Sequence, residues 1–341
     1  MLAKCESVHG GHLLVVEDPS SRQALDISFY PGAPGETHLF HSNGRAVAEG
    51  VTYLGLLGPH TAQGVLQRIP EPLDPAPGDF SYIYAGSLHE WHYGHFLLSG
   101  LPRLWNMRAV IDDTTRLVYC GDRSPEELFR IPFLADIFSA LGLGSHHLMR
   151  FPAGARFKRI TVTAPSFEEN NLGHLAYARL CNRIGDILTL NLPSKPSRRP
   201  LYLSKHKVQR GVSRVVNEGE VVDELVRLGA DVVCPEELSI AEQVQLWRDR
   251  AVVYGFIGSA FHTGIFSRRP RCVVLNSGPM VWSNQLILDC INGASVDYYY
   301  STAGIINAGR NGSFGNNFTL SNPVDLARAL LERAQAACEE T

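Results

Sequence analysis

Apolar positions fall into two regimes along the chain. Beyond residue 200, short apolar runs alternate with segments of helical period. The runs at 200–205 (PLYLSK), 230–234 (ADVVC), 251–256 (AVVYGF) and 271–276 (RCVVLN) read as strands buried on both faces. Between them, 217–229 (NEGEVVDELVRLG) sets Val221, Val222, Leu225, Val226 and Leu228 along a helical face and stops at Gly229. The segment 237–249 (ELSIAEQVQLWRD) opens with Ser239 and Glu242 at the spacing of a capping box. A glycine turn leads into a helix at 258–266 (GSAFHTGIF), and Asn322-Pro323 start a last helix, 323–337. Strands alternating with helices at this spacing predict a parallel, doubly wound sheet, whose ligands bind at the carboxyl ends of its strands. Those ends carry Ser204-Lys205, Cys234 to Glu237, Gly255 to Ser259, and Asn276-Ser277.

The first half is less regular. Residues 1 to about 75 mix short runs (12–18, 24–30, 37–41, 51–57) with Gly, Pro and Asp turns, which predicts short strands in an irregular sheet. A proline-rich connection at 68–80 precedes a histidine-rich stretch, a helix-like segment to about Met107 and a strand at 108–112. Helices are expected at 124–144, with a proline break, and at 170–188, with a strand at 157–165. The stretch 191–200 (NLPSKPSRRP), rich in proline and basic residues, reads as an interdomain linker. The expected division is an N-terminal domain 1–190, a linker 191–200, a C-terminal domain 201–320 and a terminal helix 321–341.

Composition narrows the class. A chain of 341 residues suits two domains, and 45% hydrophobic with 19% charged residues is a globular balance. A net charge of −3 gives no general field for nucleic acid. Seven scattered cysteines without a CxxC argue against a disulfide framework or structural zinc and for a reducing, cytoplasmic setting. The start is not a signal peptide, and no apolar run reaches the length of a membrane span.

Chemistry concentrates in three places. In GFIGSAFHTGIF (255–266) a glycine turn lets backbone approach a ligand, a helix N-terminus offers N–H groups to an anion, and Ser259 adds a hydroxyl. The pattern is not GxGxxG, a phosphate loop or a GxSxG elbow. In SKHKVQRGVSR, one loop gathers Ser204, Lys205, Lys207, Arg210 and Arg214, suited to a diphosphate. PEELS offers Glu236 and Glu237, and a carboxylate at a strand end commonly accepts from ribose hydroxyls. The third place is GSLHEWHYGHFLLSGLPRLW (86–105), where His89, His92 and His95 stand three apart beside Glu90, Trp91 and Tyr93. On a helix the first and third histidines diverge, and no nearby Cys or Asp completes a ligand set, so a catalytic base or acceptor contact is the better reading than a metal site. His146, His147 and His174 lack a partner pattern, and Asp112-Asp113 reads as a turn, with no DxD-type metal motif.

Four motifs in order carry a resemblance: H-F-L-L-x-x-L-P-R-L from His95, L-Y-L-S-K…R…N-E-x-E from Leu201, P-E-x-L-S-x-x-E-Q from Pro235 and G-S-A-x-H from Gly258. The order resembles glycosyltransferase family 61, in its bacterial polysaccharide-biosynthesis branch, from about Tyr93 to Asn276. The resemblance implies a GT-B-like α/β architecture, two Rossmann-like domains facing a cleft, behind a short irregular β-rich N-terminal segment. It implies inverting transfer from a nucleotide sugar, UDP-linked, with no bound metal or other cofactor. The acceptor would be a glycan or lipid-linked glycan, met at the inner face of the membrane. Donor-side positions fall on Ser204, Lys205, Arg210, Asn217, Glu218, Glu237, Gly258, Ser259, Ala260 and His262. Acceptor contacts fall on Trp91, Tyr93 and Arg103, and the catalytic group on His95, His92 or Glu90. Two departures stand out: Lys205 replaces the family's usual arginine, and the family's H-x-x-x-E/D helix reads His95-Phe-Leu-Leu-Ser99, with serine for the carboxylate. The serine leaves open a non-catalytic nucleotide- or glycan-binding protein on the same scaffold.

Overall fold

A computed structural model describes residues 1–33, 36–51, 67–69, 71–88, 92–107, 111–208, 213–311 and 315–340. The chain divides into two compact units: residues 10–187, and residues 1–9 together with 188–341.

The C-terminal unit is an α/β layer structure. Its six-stranded sheet runs, in space, Asp231–Val233, Leu201–Leu203, Val253–Phe256, Arg271–Asn276, Ser295–Ser301 and Leu2–Lys4. The first five are parallel and the last is antiparallel. Numbered by sequence, the parallel strands lie in the order 2-1-3-4-5, so the winding reverses between Leu201–Leu203 and Val253–Phe256. Alternation sorts the side chains onto two faces. Tyr202, Tyr254, Val273 and Leu275 meet the helices Glu218–Arg227 and Pro323–Glu339. Leu201, Leu203, Val253 and Val274 meet Trp247 and Phe261 on the other face. Gly255 has a positive φ (153°), and a Cβ there would lie 2.7 Å from the Leu203 carbonyl oxygen, so the two central strands close only around glycine.

In the terminal helix, Leu326, Ala327, Leu330 and Ala334 are buried against the sheet of their own unit. Each fully buried leucine there is worth roughly 1.5–3 kcal/mol. The stretch 191–200 is not a free linker, because Asp249 accepts from Ser194 Oγ (2.8 Å) and Lys195 N (2.9 Å), and Ser197 N donates to the Asp249 carbonyl (2.7 Å). The crossing element is instead the first strand. Leu2–Lys4 pairs with Ser295–Ser301, and Ser7–His9 pairs with Met280–Trp282.

The N-terminal unit is built on a mixed six-stranded sheet in the order Leu39–Phe40, Ser21–Phe29, Ala155–Thr163, Ser81–Ser87, Thr115–Cys120, Leu148–Met149. Ile27, Phe29, Tyr84, Val118, Phe157 and Val162 form its core. The strands expected at 12–18, 24–30, 37–41 and 157–165 are present. The expected strand at 51–57, and most of that at 108–112, lie outside the described residues. The broken helix at 124–144 appears as Pro125–Leu128 and Pro132–Ala140, and the helix expected at 170–188 starts at Leu175. Among the described residues no helix is long and apolar enough to cross a membrane.

Candidate functional site

The histidine stretch forms a helix that changes pitch. His92 is extended (φ −143°, ψ 108°), and its Nδ1 accepts from the His95 backbone N–H (3.2 Å), capping the turn Tyr93–His95. Phe96–Gly100 then widens into a π-helical turn, and Leu101–Leu104 tightens into a 3-10 turn. Such interruptions often sit at functional sites. Phe96, Leu97 and Leu98 are buried, and the Leu97 carbonyl accepts the buried Tyr177 hydroxyl.

This geometry separates the predicted residues. Burial first, and the neighbouring His95 second, lower the affinity of His92 for a proton. With Nδ1 accepting from backbone, its Nε2 carries the hydrogen, so in this arrangement His92 acts as a cap. His95, whose ring lies 4.5 Å from that of His92, keeps 38% of its side chain exposed. Its Nδ1 is 3.8 Å from Glu169 Oε1, and the same carboxylate oxygen accepts from Ser99 Oγ at 2.5 Å. Sequence reasoning missed Glu169, which comes from a hairpin 70 residues away from Ser99. Tyr93 stands edge-on to Phe133 (5.2 Å), so its ring serves packing. Arg103 is not an acceptor contact. It is 1% exposed, and its guanidinium donates to the carbonyls of Glu49, Thr163, Gly50 and Val51 at 2.7–3.0 Å. Gly86 (φ 73°) makes room for it: a Cβ there would meet Arg103 Cδ at 2.8 Å. Glu90 and Trp91 lie outside the described residues.

On the C-terminal unit, the reversal of strand order places two predicted segments side by side. Lys205 follows Leu201–Leu203, and its Nζ donates to the Ile257 carbonyl (3.1 Å). A Cβ on Gly258 would lie 3.9 Å from that ammonium, and the ammonium sits 5.8 Å from the Phe256 ring centroid. Burial pushes Lys205 down to about 8, opposed by the charge of Glu218. A small cavity of about 10 Å³, the size of a single water, lies beside it, bordered by Ser213, Phe256, Ile257, Ser277 and Phe318. The helix after the glycine, Ser259–His262, is only four residues long, so Lys205 and not a helix dipole supplies the positive charge. His262 Nδ1 lies 2.7 Å from Gln285 Oε1, which fixes the ring; Gln285 Nε2 in turn donates to Asp289 (2.9 Å).

Four predicted donor residues serve the scaffold instead. Glu218 is fully buried and accepts through Oε1 from the Tyr202 hydroxyl, Ser204 Oγ and Lys205 N at 3.0–3.1 Å. Ser204, 1% exposed, is spent on Glu218 and His206. Asn217 bonds both ways to the Leu320 backbone (3.1 and 2.9 Å), pinning the strand Gly315–Leu320. Ala260 packs into the Trp247 core. Ser and Asn side chains tie loops as readily as they hold ligands. Glu237 is exposed and pairs with Lys207 (2.7 Å), a solvent-screened contact that is easily exchanged. Arg210 lies outside the described residues.

Among the described residues one cluster has metal-ligand spacing, Asp113, His146 and His147, with ligand atoms within 4.8 Å of one another. His147 Nδ1 accepts from Gly144 N (2.8 Å), which puts the ring hydrogen on its other nitrogen. Asp112 folds the turn expected there, accepting from Thr114 and Thr115.

No curated protein matches the sequence. Among solved structures the chain is similar to the flavodiiron protein from Giardia intestinalis, at 13% identity over 65% of this chain and 57% of that one; the TM-score of 0.24 is too low to assign a fold. The family model Glycosyltransferase 61 matches residues 93–274, from the turn after His92 through the strand Arg271–Asn276. That match spans more than half of the chain and takes in both His95 and Lys205, and on it the chain belongs to glycosyltransferase family 61.

Proposed function

We propose that the protein is an inverting glycosyltransferase of polysaccharide biosynthesis, with a GT-B-like arrangement of its two units. It takes a sugar from a nucleoside diphosphate donor, UDP-linked, and gives it to a hydroxyl of a glycan or glycolipid acceptor. The setting is the cytoplasmic side of a membrane. An acceptor oxygen bonds to the anomeric carbon as the bond from that carbon to the phosphate oxygen breaks. The nucleoside diphosphate leaves with the electron pair, and His95 takes the acceptor's proton. One observation carries the reading: the Lys205 ammonium stands at the point where the strand order reverses, against a glycine turn. A fixed cation there neutralises charge developing on a departing diphosphate without a metal ion. Glu237, exposed in the turn Pro235–Glu237, would accept from ribose hydroxyls.

Calorimetric titration of UDP and a panel of UDP-sugars, with and without magnesium, tests the donor side. Wild type is expected to bind one donor class independently of magnesium. Lys205→Met is expected to weaken that binding by about 10–100-fold, the loss of one charge-assisted hydrogen bond. Nucleotide binding that Lys205→Met leaves intact sinks the assignment.

A further inference from the structure

The family-like helix of this chain has serine at position 99, yet a carboxylate from a distant segment is hydrogen-bonded to that serine. Glu169 lies in the tight turn between Phe167–Glu168 and Leu172–His174, which pair antiparallel. Asn170 takes a left-handed conformation (φ 52°), one that asparagine tolerates. The turn is held from two sides. Its Asn170 carbonyl accepts from Gly11 N (2.8 Å), and Ser166 donates to the Pro102 carbonyl through both N (3.0 Å) and Oγ (2.8 Å). The second anchor ties the hairpin to the turn that follows Ser99. The Glu169 side chain is 15% exposed, so its charge is largely withdrawn from water, and Ser99 Oγ fixes one of its oxygens 3.8 Å from His95 Nδ1.

We propose that Glu169 supplies the acceptor-site carboxylate that the His95-x-x-x-Ser99 segment lacks, working on His95 as a positioning residue with Ser99 as its hydrogen-bonded tether. This rests on the transferase reading above. As the acceptor hydroxyl attacks, its proton passes to the His95 imidazole. The Glu169 carboxylate, fixed in advance, offsets the positive charge that then appears on the ring, and no group other than the acceptor loses a proton. The gap of 3.8 Å is longer than a hydrogen bond and within ion-pair range, so the contact strengthens only when His95 becomes charged. A hydroxyl at position 99 is then a working part of the site and not the scar of a lost activity.

The test uses turnover of the UDP-sugar selected by calorimetry, with a set of oligosaccharide acceptors. The variants are Glu169→Gln and the exchange Ser99→Asp/Glu169→Ser, which returns the carboxylate to the helix. Glu169→Gln is expected to lower kcat by about 10²–10⁴-fold with donor KM and donor affinity little changed, and the exchange to regain at least about tenfold of that loss. Glu169→Gln activity within about threefold of wild type overturns the role of Glu169 and leaves the transferase reading standing. A loss that appears in KM, with no regain in the exchange, also overturns it and reduces Glu169 to packing. A wild-type chain that binds the donor and transfers to no acceptor overturns the transferase reading, and this role with it.

Discussion

Burial decides the protonation of Asp289. Its carboxylate accepts from Gln285 Nε2 (2.9 Å) and from the Tyr298 hydroxyl, and both contacts favour the ionised form. Burial outweighs them and pushes the group from 3.8 up to about 7. Between those values the folded protein keeps a proton that the unfolded chain has released, so stability falls as pH rises through that window and levels off above it. The melting temperature is therefore expected to drop between about pH 4 and pH 7 by an amount that Asp289→Asn abolishes. An unchanged slope in the variant refutes the assignment. Gln285 also bonds His262, so the amide that donates to Asp289 orients that ring as well. At this scale, spacing and strand ends pick out His95, Lys205 and Gly258 as candidates. It could not find Glu169, Gln285 or Asp289, which reach their partners from segments distant in sequence or carry no local pattern. Nor could it see that Arg103 is a buried brace, because a guanidinium that binds a ligand and one that binds four carbonyls look alike in one dimension.

Glu224 joins two helices. It accepts from Arg227 Nε and a terminal nitrogen (2.6 and 2.7 Å) on its own helix, Glu218–Arg227, and from Arg328 Nε (2.7 Å) on Pro323–Glu339. The Arg227 hydrogen bonds foremost, then that of Arg328, hold its carboxyl down at about 2 against the opposing effect of burial. Its contribution is thus complete above the ordinary 4.5 and is lost as pH falls toward about 2. Arg328→Ala is expected to move acid unfolding, followed by circular dichroism, to higher pH; an unmoved midpoint would show the helix pair to be held by its apolar face alone. The two helices themselves were legible, since each carries an apolar stripe and a clear start or stop. Other elements gave no such signal. Ser283–Asn292 begins after Trp282 with no capping side chain, and the strand Ser295–Ser301 (SVDYYYS) lacks alternation because both of its faces are only partly covered. The strands Ile305–Asn311 and Gly315–Leu320 are rich in Gly and Asn, residues that point to loops.

The path of the chain between its two units sets a property of the whole molecule. Residues 1–9 contribute the outermost strand of a sheet otherwise made after residue 200, with Lys4 on Asp297 (3.1 Å) and Leu2 against the core. A variant lacking residues 1–9 leaves the tyrosine-rich strand Ser295–Ser301 as an open edge, able to pair with another chain. Light scattering is expected to show concentration-dependent association of that variant, and a monomer at all concentrations would refute the role of the strand as an edge cover. The same connection orders events on the ribosome. Leu2 is synthesised about 300 residues before its partner Ser301, roughly 15–60 s at ordinary translation rates. Residues 10–187 are completed in that interval. The C-terminal sheet thus closes by recapturing a strand that has waited, unpaired, through the birth of the entire other unit.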